Sequence, residues 1–258
     1  MDRHAHHKAL LAPLRAALYD FSEHGVRAAL SDVCADDAVF RLAHPLGQIH
    51  GTDAFFEQTF APLVDAWPDL ERRDHIVVAG TDDHGHDWVG CGGYYLGVAL
   101  GPWLDIPPTG HITHMRFHEF YRFVDGKVVE MQSLWDIPEV MMQANAWPMA
   151  PSLGREWHIP GPATQDGIIT KPSDEAAGEQ TKRTIIEMLE KMKRHPSTGG
   201  PAVMEMDRYW HPKMSWYGPS AIGSGRGIAG FRHWHQIPFL NAMPDRGKER
   251  ASLTYHFF

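Results

Sequence analysis

The chain has 258 residues, 43% of them apolar and 22% charged, which is a globular composition and excludes wholesale disorder. Its 24 basic and 32 acidic side chains leave a net charge of −8, so a nucleic-acid-binding domain, which needs a basic face, is not expected. Two cysteines, Cys34 and Cys91, are too few for a disulfide scaffold or a thiolate metal site and suit a reducing, cytoplasmic setting.

Taken in order, the first element reads as an amphipathic helix from Lys8 to Ala29, with Leu10, Leu11, Leu14, Leu18 and Phe21 recurring at helical spacing. A short strand, Ala38–Phe40, leads into the loop His44-Pro-Leu-Gly47. Thr52 or Asp53 is placed to cap a second helix, Ala54 to Ala66, which Trp67-Pro68 stops because proline disfavours helical backbone before it. Strand-like runs follow at His75–Ala79 and Trp88–Tyr95, then, after a Pro/Gly loop, at His111–Val124. Asp125-Gly126 is a hairpin turn signal, because a type I′ turn needs positive φ at both central residues. The return strand, Lys127–Trp135, ends at Asp136, with a short helix expected over Pro138–Asn145. Helices followed by a run of antiparallel strands make an α+β domain over residues 1–147. Residues 148–179 are rich in Pro, Gly and Thr and read as a linker, and helical periodicity returns at Gln180–Lys193.

Shifting the chain by 176 residues reveals an internal repeat. Gly47, Gly51, Phe55, Pro62, Ala66, Pro68 and Asp69 fall on Gly223, Gly227, Phe231, Pro238, Ala242, Pro244 and Asp245, seven identities in 23 gapless positions. Residues 180–258 therefore read as a second, truncated copy. Nothing in it corresponds to residues 83–146, and its aromatic ending, Leu253–Phe258, breaks off in mid-sheet, as expected of a fragment.

Several motifs in chain order resemble the SnoaL-like polyketide cyclase family, within the nuclear-transport-factor-like (cystatin-like) cone fold. They are His50-Gly51, Trp67-Pro68-Asp69-Leu70, Ile106-Pro-Pro-Thr-Gly110, Tyr121-Arg-Phe-Val-Asp-Gly-Lys127, Val129-Glu130 and Asp136. The resemblance spans about residues 10–146. It implies a curved antiparallel sheet wrapped around helices, a cone-shaped apolar cavity, a hydrophobic small-molecule substrate, and cofactor-independent acid–base chemistry at Asp136. Departures from the family pattern are Gln132, where a tryptophan is usual, and Tyr94-Tyr95, where a Thr-His pair is usual.

A regular two-residue hairpin would pair residues summing to 251, placing Met115 opposite Asp136, Phe117 opposite Leu134 and Glu119 opposite Gln132. These, with Tyr121, would share one cavity face. A bulge in either strand would shift the assignment. Trp103 and Tyr95 are candidates for the cavity wall, and His44, His50 and His118 for second proton-transfer groups. A desolvated carboxylate exchanges protons near neutrality, which suits Asp136 to an aldol-type cyclisation; capping of the following helix is its competing role. No three His, Asp or Glu side chains stand at convincing ligand spacing, so neither metal nor cofactor is expected, and Asp83-His-Gly-His-Asp87 reads as a solvated turn. No membrane segment is expected. The alternatives are a non-catalytic small-molecule-binding or dimerisation module, and an isomerase or hydrolase using the same cavity. A homodimer, or pairing of the two lobes as a pseudo-dimer, is the expected assembly.

Overall fold

A computed structural model describes residues 2–156, 161, 167–172, 174–194 and 200–244. The chain divides into two compact units. Residues 2–148 with 161 and 167–172 form the first, and the remaining described residues form the second. The stretch expected as a linker is thus shared between them. Gly167 and Ile169 bond to Val77 of the first unit's sheet, while residues 149–156 belong to the second unit.

The long N-terminal helix is two helices, α1 (Arg3–Tyr19) and α2 (Glu23–Val33). Ser22 breaks the run: its hydroxyl accepts from the Gly25 N–H and restarts the helix as a cap. Leu11, Leu14 and Leu18 are buried, as their spacing predicts. Strands β1 (Cys34–Arg41) and β2 (Gln48–His50) precede a continuous helical stretch over residues 52–66. That stretch comprises α3 (Thr52–Phe55), a π-helical turn (Phe56–Phe60) and α4 (Ala61–Ala66). Its cap position is Gly51, at φ +81°, rather than Thr52 or Asp53. The widened turn lies just before Pro62, which lacks an N–H and would crowd a carbonyl of a regular α-turn.

Strands β3 (Glu71–Thr81), β4 (Asp87–Val98), β5 (Ile112–Val124) and β6 (Lys127–Trp135) complete a six-stranded sheet of order β2-β1-β6-β5-β4-β3. The β1–β6 pair is parallel and the rest antiparallel. Asp125 and Gly126, both at positive φ, form the expected β5–β6 turn. Helix α5 (Ile137–Gln143) follows. The sheet curves around the helices, and the core of the first unit lies on its concave side.

One feature of β6 alters every face assignment beyond it. Val124 pairs with Lys127 and Phe123 with Val128, as a regular hairpin requires, but Arg122 pairs with Glu130. Val129 is therefore an extra residue, and from there paired residues sum to 252. Phe117 lies opposite Trp135, Glu119 opposite Ser133 and Phe120 opposite Gln132. Because side chains alternate, Met131, Ser133 and Trp135 face the core, whereas Gln132 and Leu134 face outward and are exposed.

In the second unit, α6 (Glu175–Met192) begins with Asp174 accepting from the Ala177 N–H. Two strands, β7 (Ser215–Trp216) and β8 (Gly225–Arg226), lead into α7 (Gly227–Phe231), a second π-helical turn (Arg232–Gln236) and α8 (Ile237–Ala242). The pair Phe40↔Ile49 recurs as Trp216↔Gly225, and the π-turn bond from Ala61 N–H to Phe56 recurs from Ile237 to Arg232. Positive φ at Gly47 and Gly51 recurs at Gly223 and Gly227. The expected strand at Leu253–Phe258 lies outside the described residues.

Candidate active site in the first unit

At the centre of the concave face lies a buried polar cluster built on Glu119 of β5. The side chains of Glu119 and Arg72 are both fully buried and form an ion pair through Arg72 Nη1 and Glu119 Oε2. Tyr95 donates to Oε1 at 3.0 Å, Tyr121 to Oε2 at 2.5 Å, and the Trp135 indole N–H to Oε1 at 2.8 Å. Arg72 also donates from Nε to Asp74 at 3.0 Å, and Arg15 of α1 grips the other oxygen of Asp74 at 2.8 Å. Two cations and two carboxylates thus neutralise each other inside the core. Burial alone would push the Arg72 guanidinium down, but Glu119, Tyr121, Tyr95 and Asp74 outweigh it and hold it well above its ordinary value. Burial, reinforced by the Glu119 charge, raises the hydroxyls of Tyr95 and Tyr121 well above the usual tyrosine range, so both stay protonated donors.

Rings wall this cluster. Tyr95 lies 5.0 Å from Phe117 and 5.3 Å from Trp135 between ring centroids, Phe60 lies 5.8 Å from Trp135, and Trp103 lies 6.4 Å from Trp135. The Arg72 guanidinium carbon lies 4.1 Å from the Phe117 ring centroid. Met115 is fully buried on the same face. Three buried donors here have no hydrogen-bond partner among the described residues: Arg72 Nη2, which faces Asp74 as an ion pair, the Trp103 indole nitrogen and the Ser133 hydroxyl.

Of the residues expected at the site, Met115, Phe117, Glu119, Tyr121, Tyr95 and Trp103 come together on the concave side. Asp136, Gln132 and Leu134 do not, because the Val129 bulge turns that end of β6 over. Asp136 bonds through its N–H to the Arg116 carbonyl, and its carboxylate lies 3.3 Å from the Arg116 guanidinium, whose side chain belongs to the outward face. It occupies the cap position of α5 without capping it through its side chain. Gln132 instead joins Asp82, Trp88, Phe120, Arg122 and Glu130 around an outer-face cavity of about 410 Å³. His44 and His50 are exposed near the β2 edge, His50 beside Gln48 at 2.8 Å, and His118 is exposed on the outer face. The turn before β4 is organised by Asp82, which accepts from the N–H groups of His84 and His86 and from the Trp88 indole, each at 2.9 Å.

Arg72, Ser133 and Trp135 were missed. The signal for Arg72 was the charged run Glu71-Arg72-Arg73-Asp74, which reads as surface yet continues β3 inward by alternation. For Ser133 and Trp135 no signal exists apart from the bulge itself.

Among solved structures the chain is similar to AclR from Streptomyces galilaeus, a proposed hydroxylase, at 22% identity over 57% of this chain and 86% of that one, with a TM-score of 0.46. A protein from Jannaschia sp. CCS1, assigned to the SnoaL-like polyketide cyclases, matches at 22% identity over 57% and 95%, with a TM-score of 0.46. IdmH from Streptomyces antibioticus, a proposed polyketide cyclase, matches at 20% identity over 54% and 98%, with a TM-score of 0.45. No curated protein matches. No helix among the described residues is long and apolar enough to cross a membrane. Residues 12–144, just over half of the chain, match the SnoaL-like polyketide cyclase profile, and the chain belongs to that family.

Proposed function

We propose that the first unit binds a hydrophobic carbonyl compound on its concave face and catalyses acid–base cyclisation there with the protein's own groups. The observation that carries this reading is the pair of unpartnered buried donors, Ser133 Oγ and Trp103 Nε1, beside the rings around Glu119. A buried donor without a partner is costly, so its retention calls for an acceptor that arrives from outside. A ligand carbonyl supplies one, and the aromatic wall supplies apolar contact and excludes water. Stabilising a developing enolate oxygen by such donors is the step that lowers the barrier to carbon–carbon bond formation.

In this reading Glu119 and its two tyrosines form the proton-transfer group, and Asp136 acts through Arg116 to fix the junction of β6 with α5. The second unit is a partial second copy of the same lobe, a reading supported by the 176-residue correspondence of its strand pair and π-turn. A non-catalytic binding module is the second reading. It is favoured by the four protein donors already satisfying Glu119.

The test uses 2-hydroxy-1,4-naphthoquinone as a binding probe, read by tryptophan quenching, and an aromatic keto-ester as a turnover probe. Ser133→Ala and Trp103→Phe should each weaken probe binding about tenfold, the worth of one hydrogen bond to a buried acceptor. Unchanged binding in both variants would sink the site. Binding without turnover of any keto-ester would leave the module reading in its place.

A further inference from the structure

Sequence spacing offers no three-ligand set, but folding assembles one where the start of α1 meets the start of β4. Asp2 accepts from the His4 N–H at 2.9 Å and winds the first turn of α1, so His4 and His7, three residues apart, share a helix face. Asp87 opens β4, opposite Thr81 of β3 and Phe123 of β5. One donor atom from each of His4, His7 and Asp87 lies within 4.8 Å of the other two.

A second observation points to a ligand. Nδ1 of His4 and Nδ1 of His7 are both buried without a hydrogen-bond partner among the described residues, and His7 is only 8% exposed. The surroundings also orient the ligands. The His7 ring stacks on Phe123 at 4.8 Å between centroids and 20° between planes. Thr81 donates to Asp87 Oδ1 at 2.7 Å, and Arg3 lies 3.4 Å from that same oxygen, which holds the carboxylate in place.

We propose that His4, His7 and Asp87 bind a divalent ion of the zinc class, clipping the N-terminal helix to the sheet. Two imidazoles and one carboxylate suit Zn²⁺, Co²⁺ or Fe²⁺ and disfavour Mg²⁺ and Ca²⁺, which take oxygen ligands. Ligands about 2.1 Å from a tetrahedral ion stand about 3.4 Å apart, so the three donors, all within 4.8 Å of one another, need to draw together only slightly. Three protein ligands leave a fourth position for water. Arg3 is the competing cation; with a side chain 59% exposed, it can turn to solvent when the ion enters.

The test uses the untagged full chain, stripped with a chelator and titrated with CoCl₂ and then ZnCl₂. One Co²⁺ per chain should bind with visible ligand-field bands that Zn²⁺ displaces, and Zn²⁺ should raise the melting temperature. His4→Ala and Asp87→Asn should each weaken Zn²⁺ binding at least tenfold and abolish the bands. Arg3→Ala, which removes no ligand, should tighten binding, so the proposal stays testable if a ligand variant folds poorly. Absence of stoichiometric uptake would overturn it. So would uptake that neither ligand variant weakens, since the ion would then sit on other histidines.

Discussion

Removing the Glu119 carboxylate should destabilise the first unit more than any surface change. The cluster holds Arg72 and Arg15 against Glu119 and Asp74, so Glu119→Ala leaves one net positive charge in the core. Breaking a buried ion pair by deleting one partner costs about 3–5 kcal/mol. Arg72 keeps Asp74 at 3.0 Å, which favours the lower end. Tyr95, Tyr121 and Trp135 each lose their Glu119 acceptor, which works against recovery. A cost of about 3 kcal/mol in a domain of this size lowers the melting temperature by about 6–12 °C. The assay is urea and thermal unfolding of wild type, Glu119→Leu, Glu119→Ala, Arg72→Met and the double variant Arg72→Met/Glu119→Leu, the cycle being closed with the leucine single variant. Removing both charges should recover at least about 1 kcal/mol of the summed single costs, because neither charge is then stranded. The wild-type advantage should also persist in 1 M salt, since the pair is shielded from screening. A single-variant cost below about 1 kcal/mol, or strict additivity, would refute the account.

Four further outcomes follow from local geometry. Burial pushes the thiols of Cys34 and Cys91 up to about 12, so a disulfide reagent at pH 8 should modify neither in the native protein and both after denaturation. A Cβ on Gly93 would stand 1.9 Å from the Arg73 carbonyl oxygen across β3–β4, so Gly93→Ala should cost about 1–3 kcal/mol by urea unfolding. In contrast, Gly178→Ala in α6 meets open space and should stabilise by about 0.5–1 kcal/mol. Burial opposes the Asp82 charge, but hydrogen bonds from His86, Trp88 and His84 outweigh it and hold its carboxyl below the usual range. The folded form therefore binds its proton less readily than the unfolded form. Asp82→Asn should lower the melting temperature at pH 7, with the gap to wild type shrinking as the pH falls below about 4, the ordinary aspartate value; a gap that widens in acid would contradict the sign.

Local chemistry was legible in the sequence. Helical spacing placed Leu11, Leu14 and Leu18 in the core, and Asp125-Gly126 formed the hairpin. These depend on a few neighbouring residues and on backbone conformations that only certain side chains adopt. The inward set on β5, namely Met115, Phe117, Glu119 and Tyr121, was also legible, since alternation needs only one fixed point. What faced it across β6 was decided by tertiary structure. One extra residue at Val129 reverses every later side chain, exchanging Gln132, Leu134 and Asp136 for Ser133 and Trp135, and a valine in a strand carries no mark of being unpaired. The burial of Arg72, in a run of four charged residues, depended on Glu119, which lies 47 positions away. The meeting of His4 and His7 with Asp87 likewise depends on where α1 packs along the sheet. Charges and imidazoles read as exposed until a distant partner compensates their desolvation, and only the folded chain brings that partner near.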